Sequence, residues 1–252
     1  MSVDTIADVV SALDGIVQQC ERTQDRAGYF AALYKRMTAA VAQGITKGSF
    51  EDGPRMEKLD LIFAGRYLDA YHAYAHRLPC TASWQYAFDN CRDGSLTVIQ
   101  QLITGINTHI NLDLAIAASQ VAPGTGIHAL EGDFNKINDV ISGLIDDVQE
   151  CLSEVWLPVR ALARIANHRH EPVLNFSIGF ARKTAWANAV VLAGMDPAEQ
   201  QQHILRMDGM VRKIGQKIHS PGMLTELLLK TIRTTEYNDV ARTIRLIDTT
   251  IV

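Results

Sequence analysis

Residues 98–116 read VIQQLITGINTHINLDLAI, and their apolar side chains recur at intervals of three and four residues. This spacing is typical of an α-helix with one apolar face. His109 and Asp113 stand four positions apart, so at about 100° per residue they lie only about 40° apart on the helix surface. The same projection surrounds the pair with the apolar residues Val98, Leu102, Ile106, Leu112 and Ile116. An ionisable pair therefore points toward the predicted core.

The uncharged polar residues of this helix project to the opposite side and are predicted to point away from the core: Gln100, Thr104, Asn107 and Asn111. A buried carboxylate costs several kcal/mol unless a partner, a proton or a metal ion compensates its charge. We therefore expect a specific group opposite Asp113. The purely structural alternative is a hydrogen-bonded His109–Asp113 pair with Arg182 nearby, which holds helices in register.

The same periodicity extends along nearly the whole chain, and strand-like alternation is hard to find. We predict an all-α, multi-helix, bundle-like protein that forms a single domain over residues 1–252, with residues 168–172 as the place for a subdomain boundary. Proline and glycine residues fall at or near the predicted breaks. The predicted helices are 3–22, 26–45, 54–78, 83–92, 95–121, 133–155, 158–168, 174–195, 197–218, 222–234 and 238–250.

Composition and charge argue against several classes of partner. The chain has 252 residues, 47% hydrophobic content and a net charge of −4, so it can bury a sizeable core but carries no basic footprint for nucleic acid. Acidic residues stand near the N-terminus where a signal peptide needs a basic start, and no segment supplies the roughly 20 apolar residues of a membrane span. We expect a cytoplasmic protein that binds neither nucleic acid nor membrane.

Three further charged residues project onto apolar faces of other predicted helices. Asp60 is the lone carboxylate in an aromatic stripe, and Asp133 heads an apolar stripe, where it can also cap the helix. Arg182 lies among apolar and small residues, so if it is buried it needs a carboxylate or carbonyl partner, and the three predicted buried acids are available. Arg66 and Asp69, by contrast, are predicted to point outward as an exposed ion pair.

A metal-dependent reaction is the first of three functional interpretations. Helical bundles build metal sites from carboxylates and histidines that project inward from facing helices. In this interpretation Asp113, His109 and Asp60 bind one divalent ion, either Mg²⁺, Mn²⁺, Fe²⁺ or Zn²⁺. Asp133 orients a water molecule and Arg182 balances an anionic substrate, which together predict metal-assisted hydrolysis or related chemistry.

The other two interpretations are non-catalytic. In the second, a pocket for a small apolar ligand is lined by Tyr67, Tyr71, Tyr74 and Trp186. In the third, the protein is a helical scaffold whose exposed apolar segments near 222–250 form a homo-oligomer contact. The pattern of residues leaves all three interpretations open.

Five segments carry a recognisable pattern: residues 29–34 (YFAALY), 50–60 (FEDGPRMEKLD), 63–70 (FAGRYLDA), 105–114 (GINTHINLDL) and 133–138 (DFNKIN). With these segments the chain resembles a largely bacterial family of helical proteins known as a domain of unknown function. The resemblance runs from about residue 25 to residue 195, and the pattern Asn-x-His-Ile-Asn-x-Asp-Leu is its most specific part. The resemblance implies a single helical domain with polar residues at the same positions as in the family, and it implies no particular activity.

Overall fold

A computed structural model describes residues 3–137, 178–236 and 238–249 of the chain. Within these ranges the chain is helical and contains no β-strand, which confirms the all-α prediction. The predicted helix 158–168, most of the predicted helix 133–155 and the predicted boundary at 168–172 lie outside the described residues.

The helices of the described chain follow the predicted order. The N-terminal part contains α1 (Ile6–Thr23), α2 (Ala27–Thr46), α3 (Gly53–Ala75), α4 (Ala82–Asn90), α5 (Val98–Thr108), a π-helical turn (His109–Leu114), α6 (Ala115–Val121) and a 3₁₀ helix (Gly124–Leu130). A further helical stretch covers residues 131–137. The C-terminal part contains α7 (Ile178–Ala193), α8 (Pro197–His219), α9 (Met223–Thr235) and α10 (Val240–Asp248).

The start of the central helix α5 is fixed by local sequence and by a distant carboxylate. The Thr97 side chain accepts the backbone N–H of Gln100, and the Gln100 side chain accepts the backbone N–H of Thr97, which forms a capping box. Glu236, which directly follows α9, accepts the N–H of Val98 at 3.0 Å. The C-terminal part of the chain therefore holds α5 in place.

Helix α5 is buried on its polar side as well as on its apolar side. Gln100 Nε2 donates to the carbonyl of Ile218 at 3.1 Å, and Asn107 Nδ2 donates to the carbonyl of Val211 at 3.0 Å. Both acceptors belong to α8, which covers this side. The prediction that the polar side lies outside the core is therefore wrong for Gln100, Thr104, Asn107 and Asn111, all of which are buried.

A glycine and a rare helical turn shape the interface between α2 and α5. A Cβ atom on Gly105 would lie 2.7 Å from the ring of Phe30, so only glycine lets the two helices approach this closely. A few residues later the helix widens into the π-helical turn His109–Leu114. Such turns are rare and frequently occur at functional sites.

Two apolar clusters meet at this turn. One cluster joins α1, α2, α3, α4 and α10, and the other joins the start of α3 with the π-helical turn, α6, α7 and α8. Phe63 of α3 and Ile106 of α5 pack against both clusters. The candidate site lies at this junction.

Candidate functional site

Asp113, in the π-helical turn, is 1% exposed, and both of its carboxylate oxygens have partners. Arg66 Nε of α3 donates to Oδ1 at 2.8 Å, and Trp84 Nε1 of α4 donates to Oδ2 at 2.8 Å. His109 Nδ1 adds a third contact, to Oδ2, at 3.1 Å. The protein itself therefore supplies the compensating groups that the sequence requires opposite Asp113.

Arg66 is the partner that the helical projection missed. The sequence predicted an exposed pair between Arg66 and Asp69, but the Arg66 side chain is only 26% exposed and its guanidinium contacts Asp113. The long aliphatic stem of Arg66 lets its guanidinium reach the π-helical turn. A projection of Cβ positions does not show how far such a side chain extends. Arg182, which was expected to compensate one of the buried acids, forms no ion pair with Asp113.

His109 is a buried neutral imidazole with one nitrogen left free. The ring is 3% exposed, stacks on Phe63 with the centroids 3.7 Å apart, and meets Tyr34 edge-on at 4.3 Å. Burial lowers the pKa of His109, and the bond to Asp113 only partly opposes that effect. Because an ionised carboxylate only accepts hydrogen bonds, Nδ1 carries the proton and Nε2 is an acceptor. Nε2 has no hydrogen-bond partner among the described residues.

His109 lines a cavity that lies between α2, α3, the π-helical turn and α7. The cavity contains about 690 Å³ of empty space, its mouth included. Methionine, leucine, isoleucine, valine and phenylalanine side chains form most of the wall. The polar residues of the wall are Tyr34, Thr38, Asp60, His109 and Arg182. Two of the three predicted metal ligands, His109 and Asp60, therefore share one cavity, and Asp113 is connected to it through His109.

Asp60 of α3 contributes a carboxyl group that forms no ion pair with a cation of the described ranges. Its Oδ2 atom has no hydrogen-bond partner in the described part of the chain. Burial, with a smaller contribution from the charge of Glu57, raises the pKa of Asp60 to about 7. On the α2 wall, the hydroxyls of Tyr34 and Thr38 are buried and have no hydrogen-bond partner among the described residues. Near neutral pH, part of the Asp60 population is therefore the uncharged acid, which can donate a hydrogen bond.

Arg182 of α7 brings a buried positive charge to the same cavity. It is 4% exposed, its Nη2 atom donates to the carbonyl of Phe134 at 2.5 Å, and its guanidinium lies 4.6 Å from the centroid of the Phe134 ring. Burial lowers the pKa of Arg182 to about 10, so the group remains charged at neutral pH. Its Nε atom has no partner among the described residues.

Asp133 lies outside the cavity and fixes the beginning of α3. Its oxygens accept the backbone N–H groups of Glu51 at 2.7 Å and Asp52 at 3.0 Å, and Arg55 Nη2 donates to it at 3.0 Å. Burial raises the pKa of Asp133, but these hydrogen bonds outweigh that effect and the net shift is downward. Asp133, which was predicted to orient a water molecule, therefore accepts hydrogen bonds at the beginning of α3 instead.

The four aromatic residues that the sequence suggested as a pocket lining are not part of the cavity wall. Tyr67 is fully buried between Phe30 and Trp84, and the other three pack against Phe88 or Phe134. These four residues are Tyr67, Tyr71, Tyr74 and Trp186.

The polar cavity residues that sequence reasoning missed are the two hydroxyl residues of α2, Tyr34 and Thr38. A signal for them exists, because they stand four positions apart in a helix whose neighbouring residues are largely apolar. Phe63, which stacks on His109, appeared in the sequence only as one member of the aromatic stripe around Asp60. Its contact depends on how α3 packs against the π-helical turn, which helical periodicity does not determine.

No group of three or more His, Cys, Asp or Glu side chains in the described ranges is arranged to hold a metal ion. The described helices include none that is long and apolar enough to cross a membrane.

Comparison with known proteins identifies a family. A family model described as a family of unknown function (DUF5995) matches residues 6–221. No curated protein and no solved structure gives a significant match. The matched region contains the cavity, whereas α9 and α10 lie beyond it. Because the match covers most of the chain, the protein belongs to the family of unknown function DUF5995.

Proposed function

We propose that the protein binds a small, mostly apolar ligand in the cavity between α2, α3, the π-helical turn and α7. One observation carries the proposal: three buried polar residues of this cavity, Asp60, His109 and Arg182, each keep an atom without a hydrogen-bond partner among the described residues. Buried polar groups in native proteins are nearly always paired, so each exception calls for an explanation. A ligand with polar atoms at matching positions supplies one.

The energetics support the same proposal. Each unpaired buried group costs about 1–3 kcal/mol, and more when the group is charged. The buried carboxylates of Asp113 and Asp208 avoid this cost, since both oxygens of each accept hydrogen bonds. The apolar wall favours burial of an apolar ligand by roughly 25 cal/mol per Å². A mainly apolar cavity with a few convergent polar groups is the usual composition of a small-molecule site.

A divalent metal ion is the second candidate occupant. His109 Nε2 and Asp60 Oδ2 have no hydrogen-bond partner among the residues that the structure describes, and they offer a nitrogen and an oxygen ligand from the wall of one cavity. Catalytic zinc sites use three protein ligands, and the third predicted ligand, Asp113, already binds three donors. Binding of Mg²⁺, Mn²⁺, Fe²⁺ or Zn²⁺, with the hydrolysis that it implies, therefore ranks behind an organic ligand. A stoichiometric metal in tag-free protein, lost in His109→Gln, would reverse this ranking.

A homo-oligomer contact is compatible with either occupant. On α9, Met223 and Leu224 are 86% and 84% exposed, and exposed apolar side chains of this kind occur at protein interfaces. Sedimentation of wild type and Leu224→Ser tests whether α9 joins copies of the chain. We also propose that the protein is cytoplasmic and has neither nucleic-acid nor membrane partners.

Calorimetric titration with decanol, a neutral apolar probe, tests the ligand site. Val41 lines the cavity on α2, whereas Leu205 is exposed on α8. The Val41→Phe variant fills part of the cavity, and Leu205→Phe places a phenylalanine outside it as the control. We expect decanol to bind wild type and the control equally, and to bind Val41→Phe at least about tenfold more weakly. Equal binding to all three proteins, or no binding to wild type, would overturn the proposal.

A further inference from the structure

We propose that the ligand of this cavity carries a single carboxylate and that Arg182 binds this head group. The inference rests on the proposed ligand site and specifies the chemical class of the ligand. Its basis is the charge distribution around the cavity: Arg182 is buried in the wall, and it forms no ion pair with any residue that the structure describes.

Arg182 differs in this respect from three other cations that are partly withdrawn from solvent. Each of those three contacts at least one carboxylate within 3.0 Å. The pairs are Arg66 with Asp113 at 2.8 Å, Arg55 with Asp133 at 3.0 Å, and Lys35 with Asp14 and Asp248 at 2.8 and 2.7 Å. An ionised group deep in a protein needs a counter-ion. Arg182 is the most buried of these four cations and the one that contacts no anion among the described residues, so an anionic ligand completes its environment.

The guanidinium of Arg182 is held in a fixed position before any ligand arrives. Nη2 donates to the carbonyl of Phe134 at 2.5 Å, and the ring of the same residue lies 4.6 Å from the guanidinium carbon. These contacts immobilise the guanidinium and leave Nε unpartnered. Because a preorganised donor loses little conformational freedom on binding, it favours affinity and selectivity for planar anions such as carboxylates.

Asp60 does not serve as the missing anion. Burial, followed by the charge of Glu57, raises the pKa of Asp60, and no contribution from Arg182 accompanies these causes. The lowered pKa of Arg182 likewise has burial as its cause and no contribution from Asp60. Asp60 Oδ2 and Arg182 Nε each have no hydrogen-bond partner, so among the described residues Asp60 does not compensate the positive charge of Arg182.

The charge of the ligand follows from the number of cations. In the described part of the wall, Arg182 is the one cationic side chain, since His109 is a neutral imidazole whose pKa is lowered by burial. With Asp60 as the uncharged acid, one arginine balances a monoanion, whereas a phosphate monoester close to two negative charges would leave an excess charge in an apolar cavity. A monocarboxylate with an apolar body fits this composition.

Three probes with the same chain length test the inference by calorimetry: decanoate, decanol and decyl phosphate. The measurements use wild type, Arg182→Gln and the control Lys183→Gln, which removes an exposed positive charge from the adjacent position of α7. We expect wild type and Lys183→Gln to bind decanoate at least about tenfold more tightly than decanol and also more tightly than decyl phosphate. We expect Arg182→Gln to lose the preference for decanoate while its affinity for decanol is retained.

The outcomes separate this inference from the ligand site on which it rests. Equal affinity of wild type for decanoate and decanol contradicts the anionic head group. A preference for decanoate that survives in Arg182→Gln contradicts the binding of that head group by Arg182. Both outcomes leave the ligand site intact. Tighter binding of decyl phosphate contradicts the monocarboxylate. Binding of none of the three probes contradicts the ligand site as well. Because the comparison of probes on wild type needs no variant, the test remains decisive if Arg182→Gln does not fold.

Discussion

Asp113 and Arg182 are both almost completely buried charges, yet their surroundings differ. The carboxylate of Asp113 accepts hydrogen bonds from three side chains, one of them the cation Arg66. The guanidinium of Arg182 contacts one carbonyl oxygen and the face of one ring, and no anion among the described residues. We infer that the cluster around Asp113 joins helices, whereas Arg182 serves a molecule from outside the chain. Each of the following predictions tests this contrast.

The largest effect is expected from Asp113→Asn. The new amide keeps the size of the side chain but leaves Arg66 without its counter-ion and places an N–H₂ group where donors now converge. Removing one member of a buried ion pair costs about 3–5 kcal/mol of the free energy of unfolding, and denaturant titration measures this loss. The exposed Asp69→Asn is the control and should change stability by less than about 0.5 kcal/mol. A small loss in Asp113→Asn would show that this cluster is not structural.

Asp60→Asn should act in the opposite direction and depend on pH. The pKa of Asp60 is raised from 3.8 to about 7 in the folded protein, so the unfolded chain loses this proton at a lower pH than the folded protein does. Wild-type stability should therefore fall as the pH rises from about 4 to about 7. The variant lacks this loss, and we expect it to exceed wild type by about 4 kcal/mol at pH 8 and to differ little at pH 4. A pH-independent difference would contradict a buried, unpaired carboxyl.

A smaller loss is expected from Asp133→Asn at the beginning of α3. The amide retains one acceptor for the backbone N–H groups of Glu51 and Asp52 but loses the charge that faces Arg55. We expect a loss of about 2 kcal/mol at pH 7. Since the pKa of Asp133 is lowered in the folded protein, its contribution should be present above the unfolded pKa of 3.8 and disappear as the pH falls through the folded value. Thermal unfolding of both proteins from pH 7 to pH 2 measures this, and a constant difference over that range would contradict the assignment.

The smallest effect on stability is expected from Arg182→Met. Methionine keeps an unbranched apolar stem against Phe134 and removes a charge that contacts no anion in the described part of the chain. We expect the free energy of unfolding to change by less than about 1 kcal/mol, whereas Arg66→Met should lose several kcal/mol because it leaves Asp113 unpaired. Equal losses in the two variants would abolish the contrast between the two charges.

The fold and the central pair could be predicted from the sequence because both depend on local periodicity. A helix repeats every 3.6 residues, so apolar spacing indicates each helix and shows that His109 and Asp113 share a face. The partners of these residues could not be predicted in the same way. They depend on which helices pack together and on how far long side chains such as Arg66 extend, and neither property is encoded in the spacing of a single helix.

The same limit explains the misplaced polar residues. Asn107 is polar and opposite the apolar face, which usually indicates solvent, but α8 covers it and a carbonyl of that helix accepts its amide. Tyr67 and its neighbours have the aromatic character of a pocket lining, but they fill the interior next to Trp84. Residue type and spacing identified a polar interior, and only the packing of α2, α3 and α7 showed which of its groups lack partners.

The most direct test of the ligand site is native mass spectrometry of tag-free wild type and Val41→Phe, each measured before and after incubation with decanoate. Our account predicts a wild-type complex with one bound molecule, either copurified or added, that disappears on denaturation and is absent from Val41→Phe. A wild type that shows only the bare chain mass under all of these conditions, or a Val41→Phe variant that retains the same bound mass, would contradict it.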